Sequence, residues 1–132
     1  MIGIDSNVLV RIFVRDDPHQ TAAAVRFLGT RTSDDPAFVS AVVVAELVWA
    51  LERTYRYTSA AIHEALDSLF ESTNIMIEKE ALMGAAVAVA AQQNADISDS
   101  IIAAIAADAG ASHTVTFDKP AAKRVPGMEL LK

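Results

Sequence analysis

A chain of 132 residues, 52% apolar and carrying a net charge of −6, fits one globular domain with its own core and excludes extended disorder. That acidity excludes a broad basic groove for nucleic acid, but not phosphate binding through a cation. The absence of cysteine excludes disulfide scaffolds, zinc–thiolate sites and thiol catalysis, and suits a reducing cytoplasm.

Residues 1–5 read as a buried strand closed by Asp5. Asp5, Arg11 and Arg15 interrupt the first apolar stretch, so no signal peptide is expected. Asn7 to Phe13 suggests a short helix. Asp16-Asp17-Pro18 is a turn, with Pro18 suited to the first position of a helix over 19–29 that stops at Gly29. Thr30 to Pro36 is a polar loop, and Ala37-Phe38-Val39 a brief strand. Ser40 is an N-cap for a helix reaching about Tyr57. In that helix Val43, Glu46, Leu47, Ala50 and Leu51 share a stripe, which turns Glu46 toward the core.

Thr58 or Ser59 caps the next helix, with Ile62, Leu66, Leu69 and Phe70 inward. Ile75-Met76-Ile77 reads as a strand, 79–94 as an alanine-rich helix, and Asp96 to Ala109 as a helix ending at Gly110. The longest apolar run, Ala81 to Ala91, is too short to span a bilayer, and no membrane partner is expected. His113 to Phe117 forms a strand, 119–124 a short turn or helix, and Met128-Glu129-Leu130 an edge strand. Alternating strands and helices predict an α/β fold, an αβα sandwich with a central, mostly parallel sheet of four or five strands flanked by helices. A single domain spans 1–132.

Four carboxylates stand at the edges of apolar elements: Asp5, Glu46, Asp99 and Asp118. Carboxylates beside a core are costly unless compensated, and a hard divalent cation such as Mg²⁺ or Mn²⁺ compensates them well. Each also has a plainer role. Asp5 suits a helix N-cap, and one residue can do both. Glu46 suits a buried ion pair. Asp96 and Asp99 suit an N-cap and a third helical position, with Asp99 turned inward on the face of Ile102 and Ala103. Asp118 suits a turn. Ser6, Asn7 and Thr116 are candidates to orient the carboxylates. Trp49 and Tyr55 read as core or dimer contacts, and the three histidines show no ligand spacing.

The segments Ile4-Asp5-Ser6-Asn7-Val8-Leu9-Val10-Arg11, Val43-Val44-Ala45-Glu46-Leu47-Val48-Trp49, Asp96-Ile97-Ser98-Asp99-Ser100-Ile101-Ile102-Ala103 and Thr116-Phe117-Asp118-Lys119 together resemble the PIN domain family. The resemblance is closest to VapC-type toxins of type II toxin–antitoxin systems, with Ser6 where Thr is more usual. It implies a PIN-like αβα sandwich and a Mg²⁺- or Mn²⁺-dependent endoribonuclease that hydrolyses RNA phosphodiester bonds and leaves a 5′-phosphate and a 3′-hydroxyl. It also implies a homodimer inhibited by a VapB-like antitoxin, through which alone DNA is met. Asp5, Glu46, Asp99 and Asp118 carry over as both the catalytic and the metal-binding set. Alternatives are a housekeeping PIN nuclease in RNA processing, a metal-dependent phosphatase of haloacid-dehalogenase type (which wants Asp where Asn7 stands), and an idle binding module.

Overall fold

The structure, a computed structural model, describes residues 1–132. Five strands and seven helices follow in the order β1 (Ile2–Gly3), α1 (Ser6–Phe13), α2 (Pro18–Gly29), β2 (Ala37–Val39), α3 (Ala41–Arg53), α4 (Ser59–Glu71), β3 (Ile75–Ile77), α5 (Glu80–Gln93), α6 (Ile97–Asp108), β4 (Thr114–Thr116), α7 (Lys119–Arg124) and β5 (Met128–Leu130). The chain divides into two compact units, Met1–Glu80 and Ala81–Lys132. The α/β architecture with parallel strands and flanking helices is the expected one. The single sheet of four or five strands is corrected to one of three and one of two.

In the first unit β2 is central and pairs parallel with β1 on one side and β3 on the other. Parallel neighbours need helical crossovers. The α1–α2 and α3–α4 pairs supply them. Ala37 and Val39 are wholly buried, as befits a central strand. β1 departs from expectation: it is two residues long and exposed, with Ile2 retaining 45% of its accessible surface. It has one strand neighbour, so its backbone and side chains lose less water. The core comes from the helices. Leu9 of α1, Leu47 and Leu51 of α3, and Leu66 and Leu69 of α4 are almost fully buried. α1 packs on both α2 and α3, and α3 on α4.

Capping fixes where these helices begin. Ser40 Oγ accepts from the Val43 amide at 3.2 Å, and Thr58 Oγ1 from that of Ala61 at 3.1 Å. Helix α3 ends at Arg53 and not at Tyr57. Arg56 takes a left-handed φ of 55°, and the Tyr57 amide turns back to Leu51 O at 2.8 Å. The two tyrosine rings then tie this turn to α1. Tyr57 Oη donates to Phe13 O at 3.2 Å, and Arg11 Nη2 donates to Tyr55 Oη at 3.0 Å.

In the second unit β4 and β5 pair parallel across the six-residue helix α7. Ala103, Ala121, Val125 and Met128 form one buried cluster in it, joined by Ala95. Gly127 holds a left-handed φ of 86° just before β5, a conformation that a side chain would strain. No helix is long and apolar enough to cross a membrane.

Candidate active site

Parallel α/β sheets bind ligands beyond the C-terminal ends of their strands. At that edge of the three-stranded sheet the chain places Asp5 after β1, Ser40 after β2 and Glu78 after β3. Asp5 is the N-cap of α1: its Oδ1 accepts from the Ser6 amide at 2.8 Å. The plainer reading of Asp5 is therefore correct, and its second oxygen is not consumed by that cap.

Glu46 differs from expectation. Its side chain is exposed, because the buried stripe of α3 runs through Val43, Val44, Leu47, Val48 and Leu51. Glu46 lies on the opposite side with Val42 and Trp49. The carboxylate is nevertheless placed, since Ser6 Oγ donates to Glu46 Oε2 at 2.7 Å and lies 3.4 Å from Asp5 Oδ1. A single hydroxyl thus links two carboxylates that are 41 positions apart in sequence. A groove of about 470 Å³ runs beside β1, lined by Ile4, Asp5, Asn7, Val8, Arg11 and Phe27. It sets Asp5 among apolar walls, with Arg11 beside it held by Asp16 and by the Tyr55 hydroxyl.

Glu78 is the residue at this edge that sequence reasoning passed over. Its Oε1 accepts from the Ala41 amide at 2.8 Å and so caps α3 from outside the helix. Nothing local in Ile77-Glu78-Lys79 announces a bond to a residue 37 positions away.

The other two predicted acids lie in the second unit. Asp96 caps α6 by accepting from the Asp99 amide at 2.9 Å, as the spacing predicted. Asp99 is half-buried on the first turn, between buried Ser100 and Ala103 on one side and exposed Ile102 on the other. The inward turn predicted for it is only partly realised. Asp118 caps α7, its Oδ1 accepting from the Ala121 amide at 3.0 Å while its own amide donates to Thr116 Oγ1 at 3.0 Å. It is exposed. His113 sits on the surface and meets Glu129 at 3.1 Å.

Within neither unit do three His, Cys, Asp or Glu side chains gather into a metal-holding group. What the first unit does present is a pair of carboxylates joined through a hydroxyl, an all-oxygen donor set. That chemistry fits a hard divalent cation and is unsuited to a soft one.

The family model for the PIN domain matches residues 2–127, almost the whole chain. The chain belongs to the PIN domain family. PIN domains are generally nucleases, hydrolases that act on RNA and typically use divalent metal ions. The phosphatase alternative finds no support beside this match. No curated protein matches this PIN domain. The family match spans both compact units and contains all four predicted acids.

Proposed function

We propose that this PIN domain is a Mg²⁺- or Mn²⁺-dependent endoribonuclease acting as the toxin of a VapBC-like toxin–antitoxin system. Asp5, Glu46, Asp99 and Asp118 form its metal-binding and catalytic set, and residues 1–132 work as one domain. The observation that carries this reading is the Ser6 hydroxyl standing between Asp5 and Glu46, 2.7 Å from one carboxylate. It supports a designed pair of oxygen ligands in preference to two unrelated surface charges. Asp5 and Glu46, with Asp99 and Asp118, would hold the divalent cation, which would supply an acidified water and charge stabilisation for the phosphate oxygens.

The chain's own residues do the rest. Asp5 is held by the α1 cap, so its free oxygen has a fixed direction. Ser6 orients Glu46. Asp96 fixes the start of α6 and with it the backbone of Asp99, and Thr116 fixes that of Asp118. None of the three histidines is required as a general base. The proposed partners are an RNA substrate, a second copy of the chain and a small antitoxin that covers the acidic site in the cytoplasm.

The test is cleavage of a labelled RNA panel with Mg²⁺, with Mn²⁺ and with EDTA. Cleavage that requires the cation and leaves 5′-phosphates is the expected result. RNA left intact under every cation overturns the proposal. Growth arrest on expression, relieved by the protein from the adjoining reading frame, tests the toxin role separately.

A further inference from the structure

The outer face of α3 carries an arrangement that the metal site does not use. Trp49 lies one turn beyond Glu46 on that face and keeps 54% of its surface exposed. Arg53, one turn further, sets its guanidinium over one face of the indole ring, 4.1 Å from its centre, so only the opposite face is left for a further stacking partner. Val42, one turn before Glu46, is exposed by 66%. Leaving a large aromatic ring in water forfeits the stabilisation its burial would bring. A protein-binding patch would extend the apolar area. Here Glu46, Glu52 and Arg53, all exposed, interrupt it. What remains is a single aromatic ring with a cation over one face and a carboxylate one turn away along the helix.

We propose that Trp49 is a stacking platform for a nucleobase of single-stranded RNA, which takes the face of the indole opposite Arg53. The substrate class rests on the nuclease reading above. About 4.5 Å of helix rise separates Glu46 from Trp49, so a base on the indole would leave its neighbouring phosphate within reach of a cation held at Glu46. Base–aromatic stacking tolerates sequence, because every base has a π-face, and Arg adds attraction for both the ring and the backbone. The platform therefore positions RNA on a chain whose net charge is −6. Trp49 is a positioning residue, and purines should hold better than pyrimidines.

Trp49 is the only tryptophan in the chain, so intrinsic fluorescence reports on it alone. The protein is titrated with single-stranded oligoribonucleotides in Ca²⁺ in place of the catalytic cation. Oligoadenylate should quench the emission, oligouridylate less so, and an abasic strand of equal length and charge should leave it unchanged. In cleavage assays Trp49→Ala should raise KM about tenfold with kcat within twofold, and Trp49→Phe should recover most of the loss. Circular dichroism of both variants verifies that they fold.

Equal quenching by the abasic strand, or an unchanged KM in a folded Trp49→Ala, overturns the platform while leaving the nuclease reading intact. Emission that follows protein concentration and ignores RNA, with Trp49→Ala shifting a dimer to monomer, assigns the face to a second copy and also overturns it. Base-dependent quenching by a protein that cuts no RNA under any cation would instead sink the nuclease reading and leave the platform standing.

Discussion

Replacing Ser6 by alanine removes one oxygen and tests whether the hydroxyl between the carboxylates matters. Ser6 Oγ donates to Glu46 Oε2 at 2.7 Å and lies 3.4 Å from Asp5 Oδ1. A hydrogen bond to a charged acceptor contributes roughly 1.5–3 kcal/mol when desolvated. Glu46 is exposed and Ser6 half-buried, so solvent screening brings the figure below that range, to about 1 kcal/mol. Converted at 1.4 kcal/mol per tenfold, this is a loss of about fivefold. It should appear in the Mg²⁺ concentration that gives half-maximal cleavage, because Glu46 loses its fixed direction while every ligand stays present. The rate at saturating Mg²⁺ should change little. Folding should hardly notice, since the freed Glu46 oxygen returns to water, and Tm should move by less than about 3 °C. Ser6→Thr keeps the hydroxyl and should titrate like the parent. A Ser6→Ala protein with an unchanged Mg²⁺ midpoint, or a Ser6→Thr protein as impaired as the alanine variant, would refute the bridging role.

Three further outcomes follow from the fold. Leu66→Ala should cost about 2–5 kcal/mol in urea unfolding, because Leu66 is fully buried on α4; a loss below 1 kcal/mol would contradict the packing described. Glu78→Ala should lower stability by about 1 kcal/mol by orphaning the Ala41 amide, whereas Glu78→Gln, which retains an acceptor oxygen, should lie close to wild type. The N-terminal ammonium, and with it Arg31, holds the Asp35 carboxyl below the usual carboxylate range. A depressed folded pKa stabilises at neutral pH and stops doing so as pH falls through it. The stability gap between wild type and Asp35→Asn should therefore be open at pH 7 and closed at strongly acid pH. A gap independent of pH would remove the ion pair from the account.

Much of the local structure was legible because it rests on short-range signals. Pro18 opens α2, Ser40 and Thr58 open α3 and α4, and Asp96 opens α6, each where cap chemistry predicts. The short elements α7 and β5 fall on the expected residues. What was not legible depends on distant partners. The end of α3 is set by tyrosine hydroxyls reaching α1 and by Arg56 entering a left-handed turn. The split into two sheets depends on pairing among strands of two or three residues, too short to declare their neighbours. Glu46 misled for a related reason. Its stripe also contains Val42 and Trp49, apolar residues that the fold leaves outside, so an apolar neighbourhood in sequence was not a buried one in space. The Asp5–Ser6–Glu46 link is foreshadowed only in part: the sequence marks Ser6 as orienting the carboxylates, but not which of the four it meets.

The most direct measurement is cleavage of a labelled single-stranded RNA by the wild-type chain, Asp5→Asn and Asp99→Asn across a Mg²⁺ and Mn²⁺ titration. Asparagine keeps a cap oxygen at position 5, so Asp5→Asn should fold, as seen by Tm and circular dichroism. The account predicts cation-dependent cutting by wild type, abolished by EDTA, and at least a hundredfold loss in each folded variant, on the scale of about 3 kcal/mol in the barrier. Wild-type rates in either variant, or cutting that persists in EDTA, would contradict it.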